Sequence, residues 1–545
     1  MPEAKGRWKL SLPAPTAPPT EHHENTIPLS QPLKGKIRDG IVAVSLANWC
    51  LISVWFRLFN IVDFGFFDSP PRLATFLALL ANFLLLVAVF WLVLRAWRRW
   101  QNRWFHLIVH WLFFTLLLIP MAFVRAQMHP HKSLTMLVHQ PASVFIAVVI
   151  SALILWQHRR AAKVAAIVVA IFFPLAILNL VKIVLLSLGI IHLYAQQDQI
   201  PLPPPGPVHD ARPRVVWIIF DEADYRMIFE QRPASLEMPE FDRLREESLS
   251  ANNAVSPDDH TILSMPSLIL GYRISTEILT NSYDLAIQFV ITNGTYWCSR
   301  MPSVFSYARG LGVNTAVIGW YVPYAKLFGK DLNYCSWYPL PLYEPYEPTH
   351  ALTFGAAMWQ QIQCLAGPLH VRQAFVDMYH QSLAESTSLV TNSTYGLVLL
   401  HMFPPHAPGI YLRDKDQFTV HNLDKVGGYF NNLALADRTL GQLRQALISS
   451  GKWDTTWIIV SADHSWRDAA NYDGRRDYRV PFLVNPPGPN GPMVYTQAFN
   501  TVATRFLIQA ILRGEITNTT QSVADWLQAN APARATVPGT LIEAQ

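Results

Sequence analysis

Apolar and polar positions divide the chain into two unlike halves. Between residues 41 and 195 apolar side chains run in five long stretches, at about 41–62, 73–94, 104–124, 141–157 and 165–194. Crossing bilayer hydrocarbon takes about 20 such residues; all but the short stretch 141–157 come close to that. The last stretch is long and contains Pro174, Asn179 and Lys182, so it is expected to tilt, to kink at Pro174 or to run on as an amphipathic helix. A soluble core has no need of so many long apolar runs in series. The predicted organisation is a polar, Pro-rich tail over 1–40, a five-span membrane domain over 41–195, a linker over 196–214 and an outer domain over 215–545. No cleavable signal peptide is expected ahead of the first span. PLPPPGPVHDARPR, 201–214, reads as a stiff, extended connector.

After the linker the apolar runs shorten to strand length. RVVWIIF (214–220), GVNTAVIGW (312–320), YGLVLLHM (395–402), TTWIIVSA (455–462) and RVPFLV (479–484) are nearly continuous and rich in β-branched residues. Strands covered on both faces look like this. Between them MPEFDRLREES (238–248) and YFNNLALADRTLGQLRQALISSG (429–451) carry apolar positions at helical spacing, the second ending on a glycine. Alternating strands and helices predict an α/β domain with a mostly parallel sheet and helices on both faces.

Charge sets the orientation. Only 15 % of residues are charged against 51 % hydrophobic, and the deficit is concentrated in the first half. Lys and Arg favour the tail (Lys5, Arg7, Lys9, Lys34, Lys36, Arg38), the second connection (Arg95, Arg98, Arg99, Arg103) and the fourth (Arg159, Arg160, Lys163). The first connection has Arg57 and Arg72 beside Asp63 and Asp68, and the third has Arg125 and Lys132. Basic connections stay cytoplasmic, so five spans place the outer domain outside. A net charge of +5 without a basic, aromatic-interleaved stripe argues against nucleic acid binding. The four cysteines form no CxxC pair, so a cysteine zinc site is not expected; export would permit a Cys298–Cys335 disulfide, the alternative being inert buried thiols.

Candidate chemistry gathers at strand ends, where sheets of this class place their sites. The first strand ends in Asp221-Glu222; 395–402 ends in His401 and runs into Pro405-His406-Ala407-Pro408; 455–462 ends in Asp463-His464. One such ending is ordinary, but three from distant parts of the chain suit a zinc or manganese ion. SPDDHTILSMPSLILG (256–271) puts Thr261 in the first turn of a predicted helix, where free N–H groups favour an anion. Thr261 is either a helix cap or a nucleophile activated by the ion.

IIFDE, TILSMPSLILG, LLHMFPPHAPGIY and VSADHS, in this order, resemble the sulfatase-like branch of the alkaline phosphatase superfamily over about 215–485. A multi-span anchor before such a domain is similar to phosphoethanolamine transferases, lipoteichoic acid synthases and membrane sulfatase-like proteins. The resemblance implies that Asp221, Glu222, Thr261, Asp463 and His464 hold one divalent ion, zinc or manganese first, magnesium or calcium otherwise. It implies that Thr261 is the nucleophile and that His406 binds substrate or protonates the leaving group. His401 and Arg476 are weaker substrate candidates. Sulfatases of the superfamily convert a Cys or Ser to formylglycine; here Thr261 holds that position, ten residues before Gly271, and the motif's proline and arginine positions are Leu263 and Met265. A phospho-group transferase or phosphodiesterase therefore fits better than a sulfate hydrolase. Ser465 replaces the family's usual glycine, and NYDGRRDYRVPF lacks the histidine the transferases carry, which leaves a second ion open. The expected partners are a membrane lipid donor and an envelope glycan or lipid acceptor, at a cell (inner) membrane, with the catalytic domain periplasmic or extracellular. The alternatives are a sulfatase or phosphodiesterase and a non-catalytic membrane protein that retains the fold.

Overall fold

A computed structural model of the chain describes residues 31–59, 73–100, 102, 104–114, 156–190, 201–208, 212–278, 284–292, 294–339, 353–363, 368–422 and 424–536. In the first half, α1 (Gln31–Cys50) is followed by a short helix at Ile52–Phe59, then α2 (Leu73–Arg99), α3 (His158–Ile171) and α4 (Phe173–Ser187). Among the described residues, α2 is the one helix long and apolar enough to cross a membrane by itself. Residues 162–187 pass the same test as a pair of helices bent by 45°. The bend falls at the expected place: Pro174 sits in the first turn of α4, where its missing N–H breaks no helical bond within that helix. About half of the expected span at 104–124 and nearly all of that at 141–157 lie outside the described residues.

Ala47, Leu51, Val54, Trp55, Phe76, Leu79, Phe83, Ile183 and Leu186 pack together where α1, α2 and α4 meet. Two polar contacts fix their register. Asn179 Nδ2 donates to Asn48 Oδ1 at 2.9 Å between α4 and α1, and Arg98 pairs with Asp39 between α2 and α1.

The outer domain is built on β1 (Arg214–Phe220), α5 (Pro239–Glu246), β2 (Leu249–Ala251), α6 (Thr261–Leu270), β3 (Thr315–Trp320), β4 (Tyr334–Tyr338), α7 (Phe354–Gln363), α8 (Pro368–Thr391), β5 (Leu397–Met402), α9 (Lys425–Ser449), β6 (Thr456–Ala462), β7 (Phe482–Asn485), β8 (Met493–Tyr495), α10 (Thr504–Leu512) and α11 (Thr520–Thr536). Eight strands form one sheet in the order β8-β2-β7-β6-β1-β5-β3-β4. Only β7 runs against the rest. The central strands are buried along nearly their whole length, which is why they read as continuous apolar runs. One face, with Trp217, Leu399, Trp457 and Ile459, packs on α6, α10 and α11. The other, with Ile218, Leu400 and Val460, packs on α5, α8 and α9. Register matters most at the carboxyl ends: Phe220 lies opposite Ala462 on one side and Met402 on the other. The next residues of β1 and β6, Asp221 and Asp463, are thereby neighbours. Cys298 and Cys335 are both free thiols, so the disulfide that export would permit is not formed.

Candidate metal centre

Asp221, Asp463 and His464 bring ligand atoms within 4.8 Å of one another, and all three side chains are buried. Each is aimed by its backbone neighbours. Asp463 Oδ1 accepts the backbone N–H groups of Glu222 and His464, at 3.2 and 2.8 Å, which turns Oδ2 inward. His464 Nδ1 lies 3.0 Å from the Ser465 carbonyl. A carbonyl can only accept, so Nδ1 carries the hydrogen and Nε2 presents its lone pair to the cluster, the tautomer a metal needs. Nε2 stands 3.3 Å from Asp463 Oδ2 and 3.6 Å from Asp221 Oδ1. Asp221 Oδ1 and Asp463 Oδ2 have no hydrogen-bond partner although buried. Two convergent carboxylate oxygens left bare beside an imidazole lone pair are costly unless a cation lies between them. The donor set fits a borderline or hard divalent ion. Without a cation, burial and the nearby Asp463 and Glu222 carboxylates push the Asp221 carboxyl well up; a bound ion reverses that balance.

Thr261 opens α6, as expected, and is buried. His260 occupies the cap position, so the cap reading of Thr261 does not hold. Thr261 Oγ1 donates toward Asp221 Oδ2 at 3.4 Å and lies 3.2 Å from His464 Nε2. The hydroxyl therefore touches the same pocket as the three ligand groups.

Glu222 is brought to the site but not into the ligand group. Its φ of 65° is rare for a residue with a side chain, and its carboxylate meets Arg467 Nε at 2.7 Å. Burial opposes ionisation of Glu222, but His406, Arg467 and His464 outweigh it and hold its pKa below the usual value. The second amino group of Arg467 lies 3.0 Å from His406 Nε2, and His406 Nδ1 lies 2.5 Å from the Ala407 carbonyl. Arg467 can only donate and the carbonyl can only accept, so His406 is neutral with its hydrogen on Nδ1. Burial lowers its pKa, with Glu222 opposing and Arg467 adding to the effect.

His401 is buried, and Tyr324 Oη lies 2.8 Å from its Nδ1 while its Nε2 faces Asp221 Oδ2 at 3.7 Å. Burial, with Asp463 opposing, pushes its pKa down to about 4. It stands behind the ligand carboxylate rather than at the mouth. Arg476 pairs with Asp259 at 3.0 Å, two residues before Thr261, which places it on the rim. Arg467 and Tyr324 are the site residues that motif reading misses. Arg467 lies four positions beyond Asp463, where spacing alone carries no signal. Trp466, stacked on Tyr429 at 3.9 Å and 4°, anchors the turn that presents it.

Carboxylates and an imidazole at the carboxyl edge of a mostly parallel sheet, with a hydroxyl at a facing helix start, are the construction of alkaline-phosphatase-type enzymes. The Sulfatase family model matches residues 213–513, more than half of the chain, and the protein belongs to that family. Proteins of the Sulfatase family are metal-dependent enzymes, and Asp221, Asp463 and His464 form a possible metal-binding site in this protein. Solved structures similar to it include Ps i-CgsB in complex with k-i-k-neocarrahexaose, at 15 % identity over 59 % of this chain and 77 % of that chain, TM-score 0.42. The lipoteichoic acid synthase LtaP from Listeria monocytogenes is 14 % identical over 58 % of this chain and 76 % of its own, TM-score 0.37. The phosphonate monoester hydrolase of Agrobacterium radiobacter is 14 % identical over 53 % and 72 %, TM-score 0.35. No curated protein matches the chain.

Proposed function

We propose that the protein is a five-span membrane enzyme, with tail 1–40, spans 41–195, linker 196–214 and catalytic domain 215–545. It moves a phospho head group from a membrane lipid, such as phosphoethanolamine, through a Thr261-linked intermediate to an envelope glycan or lipid. The observation that carries this reading is the Thr261 hydroxyl, 3.2 Å from His464 Nε2 and 3.4 Å from Asp221 in a buried cluster. Asp221, Asp463 and His464 hold the ion, which supplies charge neutralisation at the phosphoryl oxygens and a more acidic Thr261 hydroxyl. Glu222 serves the site through Arg467 rather than as a ligand.

The reaction needs two displacements. Thr261 Oγ1 attacks phosphorus and gives up its proton toward Asp221, the bond from phosphorus to the lipid oxygen breaks, and that oxygen leaves as the alcohol with a proton taken from water. A sugar or lipid hydroxyl, or water, then attacks the same phosphorus and loses its proton to solvent, the bond to Thr261 breaks, and Thr261 Oγ1 takes its proton back from Asp221. Arg467 and His406 orient the substrate oxygens. With Nε2 accepting from Arg467, His406 has no proton there to give, so it is an orienting group in this resting arrangement. Thr261 lacks the Cys or Ser from which formylglycine is made, which favours phosphate over sulfate esters. The domain faces the periplasm or exterior of a cell membrane.

The test is mass-spectrometric trapping of a covalent adduct after incubation with a nitrophenyl phosphodiester. The adduct is expected on the Thr261 peptide of wild type and on none in Thr261→Ala; a label that persists in the variant would end the assignment. Faster turnover of nitrophenyl sulfate than of the phosphodiester would favour the sulfatase reading.

A further inference from the structure

Helix α7 belongs by sequence to the outer domain, yet it packs on the apolar helix α2. The centre of that contact is polar. Asn82 Nδ2 donates to the Met358 carbonyl and to Gln361 Oε1, both at 3.0 Å, and Gln361 Nε2 donates to the Thr75 carbonyl at 3.0 Å. Asn82 is 1 % exposed and Gln361 2 %. Two amides sealed among apolar side chains are strongly constrained to satisfy each other. Ala78 and Ala357 are also buried, and small residues let two helices approach closely.

The remaining faces are apolar and uncovered. Phe354 and Trp359 on α7 are 46 % and 61 % exposed; Leu77, Leu84 and Leu85 on α2 are 41 %, 54 % and 48 % exposed. Water is a poor solvent for such a surface, and α2 is the helix with the length and composition of a membrane span. Asn82 lies nine residues into α2, about 13 Å from its start at a rise of ~1.5 Å per residue. That is deeper than the headgroup layer, which is roughly 5–7 Å thick on each side.

We propose that α7 is an arm of the outer domain inserted into the leaflet beside the first half of α2. The Asn82–Gln361–Thr75 amide chain locks it there, and Phe354 and Trp359 face acyl chains. The proposal rests on α2 being a span. Its consequence reaches the active site. The arm follows β4, whose Tyr338 carbonyl accepts the Tyr321 N–H at 2.7 Å. Tyr321 directly follows Trp320, whose ring lies 5.0 Å from that of His406. β4, the last described strand before the arm, thus ends at the site's own end of the sheet.

Nitroxide scanning of the full chain tests this, with the four native cysteines replaced by serine. Labels are placed at Trp359→Cys and at Leu85→Cys in phosphatidylcholine–phosphatidylglycerol nanodiscs. At both positions, collisions with lipid-dissolved oxygen are expected to outnumber those with a water-soluble nickel chelate. A lipid-exposed Leu85 label with a nickel-exposed Trp359 label overturns the arm and leaves the span intact. Nickel exposure at both overturns the span reading itself. Adding Gln361→Glu, which puts a charge into the amide lock, is expected to abolish the protection at position 359 and to leave position 85 protected. Unchanged protection at 359 would refute the lock. Phosphodiester turnover by the same preparations reports on the catalytic proposal separately.

Discussion

Arg467 joins two groups that sequence motifs treat separately, the Glu222 carboxylate and the His406 imidazole. Its side chain is 37 % exposed while Glu222 is 7 % exposed, so the guanidinium bridges the buried site and the open mouth. A hydrogen bond to a charged group is worth about 1.5–3 kcal/mol. Arg467→Ala is therefore expected to lower kcat/KM by roughly 10- to 100-fold. Arg467→Lys should recover little, because a point charge cannot span both partners as a planar fork does. Steady-state kinetics on a nitrophenyl phosphodiester measures both, and wild-type values in Arg467→Ala would remove the residue from the site. The ligand carboxylates make a second prediction. Asp221 Oδ1 and Asp463 Oδ2 converge with no hydrogen-bonding partner, so stripping the ion leaves buried like charges facing each other. Dialysis against a chelator is expected to abolish turnover and lower the thermal midpoint by several degrees, and zinc or manganese should restore both. Full activity in protein shown by elemental analysis to be metal-free would contradict the centre.

At the scale of elements, one acid of α9 closes the start of α5. Asp437 accepts the backbone N–H groups of Glu240 at 3.1 Å and Phe241 at 2.9 Å, the open donors of the α5 start. Burial, partly offset by those two bonds, pushes its pKa up to about 6 from 3.8. Below pH ~4 both folded and unfolded chains hold the proton, and nothing is lost. As pH rises toward 6 the unfolded chain ionises first, and stability falls by an amount of order 1–3 kcal/mol. Asp437→Asn keeps the accepting oxygen without the charge. Its melting temperature is expected to exceed wild type at pH 7–8 and to match it near pH 4; equal midpoints at both would refute this. Such a contact is invisible in sequence, because it needs two helices almost 200 positions apart. The long buried strands were legible, since burial on both faces writes itself as an unbroken apolar run: β1 begins and ends where RVVWIIF does. The short strands β2 and β8 on one flank of the sheet were not, at three residues each. Nor was the left-handed turn at Glu222, whose motif position suggests a ligand while its backbone sends the carboxylate to Arg467.

For the whole molecule, two independent features of α2 agree on direction. Its last turn carries Arg98 and Arg99, and Arg98 pairs with Asp39 of α1. Its first turns carry Thr75 and Asn82, which bond to α7 of the outer domain. In the proposed topology α2 is a span whose basic end is cytoplasmic, and the outer domain then meets α2 at the end that this topology puts outside. Neither feature alone fixes orientation: charge bias is a tendency, and a helix contact has no inherent side. Together they predict a labelling pattern. Val208, in the connector before β1, is 50 % exposed, and Lys36, ahead of the apolar part of α1, is exposed. In intact cells a membrane-impermeant maleimide is expected to label Val208→Cys and to spare Lys36→Cys until the membrane is opened. The reverse pattern would place Thr261 and its metal ligands in the cytoplasm. An envelope acceptor would then be out of reach, and only the coarser enzyme class would survive.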